Sequence, residues 1–247
     1  MVGRFLLIVL TLGLCTFVVR PEMFEAVFQP FTQNDAPAIY TQTSLLRLTL
    51  SHLALVACAV LASTIIAVAL GILVTREFGR EFLPLARTIA SVGQTIPPVA
   101  VLALSVPMMG FGAAPTLLAL FLYGLLPIFE NTVTGLTNLP PNVIEAARGV
   151  GLIRRQRLWS VELPLAFPMI LAGIRLSTVI SLATATIGST IAAPTLGEVI
   201  IAGLLTSNSA YVLQGGLVVG LIAIIIYEVF SSLEHSAARR LGFQMDA

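Results

Sequence analysis

All thirteen basic side chains in this sequence belong to arginine, and no lysine is present. A standard P-loop needs a lysine at the nucleotide phosphates, and a Schiff-base enzyme needs a lysine amine. The sequence therefore excludes both kinds of site. The two cysteines form no CxxC pair and no cluster with histidine, so we predict no metal site.

The segment EAARGVGLIRRQRLWSVELPLAFP (residues 145–168) combines four arginines with small and chain-bending residues. Its notable residues, at fixed spacing, are Glu145, Ala146, Ala147, Gly151, Val161, Leu163 and Pro164. The two alanines let a helix backbone approach a partner closely, and the glycine lets the chain turn sharply afterwards. This pattern suits docking on a partner. The alternative is a solvated basic loop that only fixes the topology.

Residues 137–163 are predicted to hold a short helix with a defined start and end. Two prolines precede Asn142, whose side chain can cap the helix while Glu145 reaches back to it. Gly149 and Gly151 permit the left-handed backbone that ends a helix. A basic stretch then leads to an apolar run that starts near Pro164.

The composition indicates an all-α integral membrane protein. Only 10% of the residues are charged, against roughly 25% in soluble domains, and the mean hydropathy is +0.99. Since a spanning helix needs about 20 apolar residues, about six spans are expected. They lie within residues 5–19, 48–75, 88–129 (two spans, separated at 110–115), 164–193 and 211–231.

Two apolar stretches need separate interpretation. Residues 5–19 resemble a signal peptide in length, but no suitable cleavage site follows, so we expect an uncleaved anchor. Residues 195–206 are too short to cross the bilayer and contain Glu198, which favours an interfacial or re-entrant helix.

The distribution of arginine predicts the orientation. Six spans place both termini on one side, where ten arginines also lie; two arginines lie opposite, and Arg175 falls within a span. By the positive-inside rule the arginine-rich side is cytoplasmic. Residues 137–163 are then cytoplasmic, and residues 20–47 form an external loop.

The spacing within residues 145–164 resembles the EAA loop of permease subunits from bacterial ATP-binding-cassette importers of the type I fold. Other stretches resemble the osmoprotectant branch, which imports glycine betaine, choline, carnitine or related solutes. These stretches are GQTIPPVAVLALSVPMMGFG (93–112), LYGLLPIFENTVTGL (122–136), ELPLAFPMILAGIRLS (162–177) and TATIGSTIAAPTLG (184–197). The resemblance covers roughly residues 48–232. Glu130 departs from the pattern, which has a basic residue there.

The resemblance implies a type I importer permease fold with about six transmembrane helices, both termini inside the cell and a cytoplasmic coupling helix. It divides the chain into an anchor helix with an external loop (1–47), a permease domain (48–232) and a cytoplasmic tail (233–247). The loop that carries the coupling helix, residues 137–163, is called the coupling loop below. The implied location is the bacterial inner membrane.

The resemblance also implies the partners. ATPase subunits would dock at the coupling loop, a second identical or related permease chain would complete the pore, and an external binding protein would deliver solute. The implied ATPase-coupling residues are Glu145, Ala146, Ala147, Gly151, Leu163 and Pro164. ATP and magnesium would be bound by the ATPase. This chain would lie in the lipid bilayer and would bind no cofactor and no nucleic acid. It would carry no catalytic residue.

Polar and proline residues inside the spans are candidates for the translocation path. Pro97 and Pro98 break the third span and leave backbone carbonyls unpaired, beside Gln94 and Thr95. A second polar group consists of Thr184, Thr186, Ser189 and Thr190. Each group has an alternative role: the prolines as a structural kink, and the hydroxyls as helix-packing groups that bond their own backbone.

Two charged residues are expected at similar depth in neighbouring spans. Arg175 lies eleven residues into the fifth span and Glu130 lies in the fourth, so we predict that they form an intramembrane pair. The alternative is that Arg175 extends to the cytoplasmic interface.

No group of aromatic residues in the sequence suits a cage for a quaternary ammonium ion, since one tryptophan and four tyrosines are scattered along the chain. This favours solute capture by a separate protein. Two alternatives remain open: a permease for another small solute, such as an amino acid or an oxyanion, and a secondary transporter that works without ATP.

Overall fold

The computed structural model describes residues 2–33 and 36–241, and within these ranges it contains helices and no strand. The α-helices, in chain order, are α1 (Val2–Val19), α2 (Glu25–Phe28), α3 (Leu45–Val74), α4 (Leu83–Thr95), α5 (Pro98–Met109), α6 (Ala113–Thr137), α7 (Pro141–Gly149), α8 (Arg154–Arg157), α9 (Leu163–Ala185), α10 (Gly197–Leu205) and α11 (Ser209–Arg240). Short 3-10 turns join several of them, and a π-helical turn, Leu158–Glu162, joins α8 to α9. The all-α prediction is therefore confirmed.

Four helical stretches are long and apolar enough to cross a membrane: Leu45–Val74, Ala113–Thr137, Arg154–Ile191 and Ser209–Arg240. Two bent helix pairs bring the number to six if each pair counts as one span: Leu7–Val19 with Pro21–Phe31, and Arg80–Thr95 with Pro98–Met109. The predicted number of six spans is reached if each bent pair counts as one span, and two of the six are then broken rather than straight.

The break between α4 and α5 lies at the two prolines. The bend is 93°, and Ile96 leaves the helical conformation with φ −95° and ψ 128°. Pro97 is extended and Pro98 occupies the first position of α5, where its missing N–H costs no hydrogen bond. The Tyr123 hydroxyl donates a hydrogen bond to the Ile96 carbonyl, so this carbonyl has a hydrogen-bond partner at the break.

The boundaries of three other spans differ from the predicted ones. Helix α6 continues past residue 129 to Thr137, and α11 continues past residue 231 to Arg240. The α-helical part of the fifth span ends at Ala185, followed by a 3-10 turn and by Ala192 in the left-handed region at φ 62°. Uncharged runs underestimate α6 and α11, because paired charges and snorkelling side chains are tolerated at their ends.

The chain divides into two compact units, and most long helices contribute residues to both. Unit 1 consists of residues 1–59, 97–120 and 179–227; unit 2 consists of residues 60–96, 121–178 and 228–247. Of the predicted tail, 233–247, the structure describes residues up to 241.

Unit 2 has a core of close-packed helices α3, α4 and α6. Its buried residues are Ala67, Val74, Ala86, Ala90, Leu125, Ile128, Phe129 and Val133. Small residues bring α3, α6 and α9 together, since a Cβ atom at Gly124 would lie 2.7 Å from Ser177 Oγ and 2.8 Å from Ser63 Oγ. Such close backbone approach is how helices gain packing energy in a bilayer, where the hydrophobic effect between helices is absent.

Unit 1 holds the external loop against α10 and α11 with polar side chains. Buried Gln214 accepts a 3.2 Å hydrogen bond from Tyr40 N–H and donates one of 2.6 Å to the Ala38 carbonyl. Asn208 donates to the Pro37 carbonyl at 2.9 Å. These bonds satisfy the backbone of a segment that has no regular structure of its own.

Candidate functional site

The coupling loop contains the predicted short helix, but its start is different from the predicted one. Helix α7 spans Pro141–Gly149, and its N-cap is Pro140, whose carbonyl accepts bonds from the N–H groups of Val143 and Ile144. No side chain caps the helix, so the predicted capping box of Asn142 and Glu145 is wrong. Pro141 at the first helical position presets φ, and this favours a start two residues earlier than the predicted one.

The end of α7 depends on Gly151. Gly151 N–H donates to the Arg148 carbonyl and Leu152 N–H donates to the Ala147 carbonyl, at 2.9 and 3.1 Å. This is the hydrogen-bond pattern of a Schellman motif, which needs a left-handed residue at the position after the cap. Gly151 supplies it with φ 83°, whereas Gly149 remains within the helix. The glycine of the sequence motif therefore has a defined structural role.

Helix α7 presents a polar and small-residue face to the outside. Glu145 and Ala146 are exposed, whereas Ala147 is buried. Large apolar side chains are exposed around the helix end, namely Val150, Ile153 and Trp159, with 78%, 63% and 65% of their surface accessible. Exposed apolar side chains beside a small-residue helix face are typical of a protein–protein contact.

The loop returns to the membrane domain through a buried carboxylate. Glu162 lies 2.6 Å from Arg76 Nη1 and 2.8 Å from Arg157 Nε, and only 6% of its side chain is accessible. Both of its oxygens are thus used by arginines from two parts of unit 2. This cluster was not predicted, although a lone glutamate before an apolar span needs a cationic partner, and that need was the available signal.

Leu163 and Pro164 follow this cluster at the start of α9. Leu163 N–H donates to the Leu158 carbonyl across the π-helical turn. Pro164 has no N–H to donate, and the wider turn before it lets one helical stretch continue from Arg154 past the proline. The Leu-Pro end of the motif therefore connects the coupling loop to α9 without a flexible joint.

Gln94 and Thr95 of the first group of path candidates lie at the end of α4 in unit 2, whereas Pro97 and Pro98 belong to unit 1. Gln94 is exposed and donates a 3.3 Å hydrogen bond to the Tyr123 carbonyl, while Thr95 bonds the Val92 carbonyl at 2.9 Å. Both side chains thus bond nearby backbone carbonyls at the break before Pro97.

The second group lies in unit 1, where α5 packs against the 3-10 turn Thr186–Ile191. The Thr186 and Thr190 hydroxyls each donate 2.7 Å bonds to backbone carbonyls three residues earlier. Ser189 Oγ lies 2.7 Å from Thr195 Oγ1, and Thr184 is partly buried in α9. Structural bonding of their own backbone, the alternative considered from sequence, thus describes Thr186 and Thr190.

The predicted Glu130–Arg175 pair is wrong. Glu130 accepts two bonds from Arg87, at 2.6 Å from Nε and 2.9 Å from Nη2. Arg175 Nη1 lies 3.1 Å from Glu234 Oε2, an ionic contact without hydrogen-bond geometry. Similar depth in neighbouring helices did not decide the pairing, because each residue has a partner on another element.

A further polar cluster in unit 1 was not predicted. Tyr40 and Thr43 in the external loop donate bonds of 2.7 and 2.5 Å to Glu198 Oε1 on α10. Burial and the hydrogen bond to Glu198 raise the pKa of Tyr40 to about 12, so its hydroxyl remains a donor at any physiological pH. The Tyr40 ring packs edge-on against Tyr211, with ring centroids 5.4 Å apart. Both rings are buried, so this pair packs the fold and is no open cage.

The chain was compared with known proteins. Residues 67–242 match the family of binding-protein-dependent transport system inner membrane components. This match contains the whole coupling loop and begins within α3, after the external loop.

Curated relatives show the same relationship. The chain is 40% identical to the osmoprotectant import permease protein OsmY of Salmonella typhimurium, over 75% of this chain and 78% of the relative. It is 36% identical to the choline transport system permease protein OpuBB of Bacillus subtilis, over 77% and 87%. It is 38% identical to the carnitine transport permease protein OpuCB of Listeria monocytogenes, over 78% and 87%.

Solved structures have the same fold. A chain of the inward-facing MetNI methionine ABC transporter aligns with a TM-score of 0.68 and 18% identity, over 78% of this chain and 95% of that one. A chain of an amino acid ABC transporter crystallised with histidines aligns with a TM-score of 0.61 and 19% identity, over 79% and 92%. The chain belongs to the inner-membrane components of binding-protein-dependent transport systems, and it is a non-catalytic permease subunit of a bacterial ATP-binding-cassette importer.

Proposed function

We propose that this permease forms the translocation path for an osmoprotectant, such as glycine betaine or choline. The observation that carries the proposal is the agreement among relatives 36–40% identical to this chain, which are named for osmoprotectants, choline or carnitine. The solved amino acid transporters are only 18–19% identical, so they bear on the fold and leave the solute open. A permease for an amino acid or an oxyanion is the alternative.

Membership of this family implies an ATPase and a solute-binding protein as partners. We propose that the ATPase docks on α7, with Glu145 and Ala146 at the contact, and that exposed Val150 and Trp159 extend it. ATP and magnesium would be bound by that ATPase. A second permease chain, identical or related, would complete the pore.

The coupling loop is built to transmit a movement of α7. Only three residues separate α6 from α7, so the two helices are closely linked. On the other side, the Schellman motif at Gly151 and the π-helical turn lead into α9. The Glu162–Arg76 ion pair connects the end of α3 to the coupling loop as well. A displacement of α7 by the ATPase would therefore move three membrane helices of unit 2 together.

The path itself is proposed to include the α4–α5 break. Here Gln94, Thr95, Pro97 and Pro98 place polar side chains and non-helical backbone at membrane depth. Such backbone occurs where it is buried in protein or lines a cavity. The turn that carries Thr184, Thr186, Ser189 and Thr190 is proposed as a second part of the lining, since α5 packs against it. A quaternary ammonium group donates no hydrogen bond, so hydroxyls already bonded to backbone suit its passage.

Uptake by the reconstituted complex tests the solute. The permease, its ATPase and its binding protein would be placed in proteoliposomes, and ATP-dependent uptake of radiolabelled glycine betaine, choline, carnitine and methionine would be measured. We expect transport of at least one quaternary amine and none of methionine. Transport of methionine alone would contradict the osmoprotectant assignment, and transport by the permease without the ATPase would contradict the coupling mechanism.

Co-purification with the ATPase tests the docking site. Glu145→Lys and Gly151→Asp are expected to abolish co-purification, because the first reverses the charge at the contact and the second strains the left-handed turn. The matched control is Glu81→Lys, an equal charge reversal at an exposed residue outside the coupling loop. Retained assembly in both loop variants would place the contact elsewhere.

A further inference from the structure

Unit 2 contains a cavity of about 430 Å³ where the cytoplasmic ends of α3, α6 and α9 meet the coupling loop. Six of the thirteen arginines of the protein line it: Arg76, Arg80, Arg148, Arg154, Arg155 and Arg157. Only two carboxylates, Glu77 and Glu162, are in the lining. The cavity therefore has a formal excess of four positive charges.

The ion pairs do not neutralise this excess. Glu162 is shared by Arg76 and Arg157, and Glu77 pairs with Arg154 at 2.7 Å. The remaining three arginines, Arg80, Arg148 and Arg155, have no carboxylate within 4 Å among the described residues. Three guanidinium groups with free donors thus line one cavity.

Topology alone does not require this arrangement. The positive-inside rule depends on how many arginines a cytoplasmic segment carries, and it is satisfied equally when they point apart into water. Like charges gathered at one cavity repel each other, and a bound anion removes that cost. Each guanidinium also offers a planar fork of donors that matches two oxygens of a phosphate group.

We propose that this cavity binds a phosphate-bearing anion, supplied either by the headgroup of an anionic phospholipid or by a soluble phosphate compound. Its volume lies within the range of small-molecule sites, about 300–1,000 Å³. Phe78, Leu139 and Leu158 add apolar surface for a glycerol or acyl portion.

The site would act on the coupling helix. Arg148 lies on α7, Arg80 lies in the turn before α4, and Arg155 lies on α8. An anion held by all three would fix α7 against the α3–α4 connection. This role is independent of the transported solute, and it needs no contact with the ATPase.

Binding is tested on the full chain in neutral detergent. Native mass spectrometry would compare phosphatidylglycerol with phosphatidylcholine, and a thermal-unfolding assay would compare inorganic phosphate with chloride at equal ionic strength. The cavity variant is Arg80→Gln/Arg148→Gln/Arg155→Gln. The matched control, Arg47→Gln/Arg239→Gln/Arg240→Gln, removes the same charge from exposed residues outside the cavity.

We expect the wild-type chain and the control to bind at least one phosphate-bearing probe. The affinity of the cavity variant for that probe should be lower by a factor of about ten or more. Preference for phosphatidylglycerol over phosphatidylcholine identifies the lipid source. Stabilisation by inorganic phosphate without that preference identifies a soluble one. Equal affinity in the cavity variant and the control, or binding of neither probe by the wild type, would overturn the proposal.

Discussion

Arg76 and Glu162, which are 86 residues apart in sequence, form a 2.6 Å ion pair that joins the end of α3 to the turn before α9. Arg157 shares the same carboxylate from within the coupling loop. The buried carboxylate of Glu162 thus links the membrane helices to the coupling loop, which is proposed to receive force from the ATPase. A buried carboxylate in this position stabilises the fold only while both arginines remain bonded to it.

Glu162→Gln is the direct test of this tie. The amide keeps the shape of the side chain but leaves two partly buried guanidinium groups without their anion, which we expect to lower the free energy of unfolding by on the order of 3 kcal/mol. Thermal unfolding of the detergent-solubilised chain measures the change. The control is Glu77→Gln, whose partner Arg154 is as exposed as Glu77 itself, at 76% and 75%. We expect less than about 1 kcal/mol there. An equal loss in both variants would contradict a special role for Glu162.

The two glycines of the coupling loop should respond in opposite directions to alanine. Gly151→Ala forces an L-residue to φ 83° and should cost about 1 kcal/mol, with weaker ATPase assembly. Gly149→Ala adds a methyl group to a helical position with no atom within 4 Å of the new Cβ, so it should be neutral or slightly stabilising. Unfolding and co-purification with the ATPase are the measurements. Two losses of equal size would show that the Schellman motif is not what Gly151 provides.

The coupling loop could be predicted from sequence because its features are local. Gly151, Leu163 and Pro164 act within a few residues of themselves, through a helix end and through the turn before α9. The predicted start of α7 is two residues too late for a related reason. Asn142 can cap a helix with its side chain, but Pro141 presets φ for the first helical position, and the helix starts at this proline.

The long-range polar contacts could not be predicted in the same way, because they depend on which helices become neighbours. Arg87 and Glu130 are 43 residues apart, and Tyr40 and Glu198 are 158 apart. Depth in the bilayer limits the possible partners of a charged residue, but several helices offer groups at the same depth. Only helix packing selects among them.

A double-mutant cycle tests the corrected pairing. Arg87→Gln, Glu130→Gln and the double variant should show an interaction energy of about 0.5–1 kcal/mol. The contact is bidentate, but 51% of the Arg87 side chain and 33% of the Glu130 side chain are accessible to solvent. The cycle of Arg175→Gln with Glu130→Gln should be additive within about 0.5 kcal/mol, because the two residues have different ionic partners. The free energy of unfolding is the measured quantity. A larger coupling in the second cycle would restore the pair expected from depth alone.

The external loop offers the last test, because Glu198 bonds it through two hydroxyls, from Tyr40 and Thr43. The pKa of Tyr40 is raised to about 12, so the protonated donor is favoured in the folded protein; this stabilisation is complete below pH 10 and is lost only as the pH approaches 12. Both bonds end on Glu198 Oε1, so Glu198→Gln keeps an acceptor oxygen there but removes the negative charge that strengthens both bonds, at a cost of about 1–3 kcal/mol. Hydrogen–deuterium exchange of residues 36–44 should therefore become faster at neutral pH. Glu25→Gln changes an exposed carboxylate of α2, outside residues 36–44, and should leave exchange unchanged. Equal exchange in the two variants would mean that Glu198 does not hold the loop.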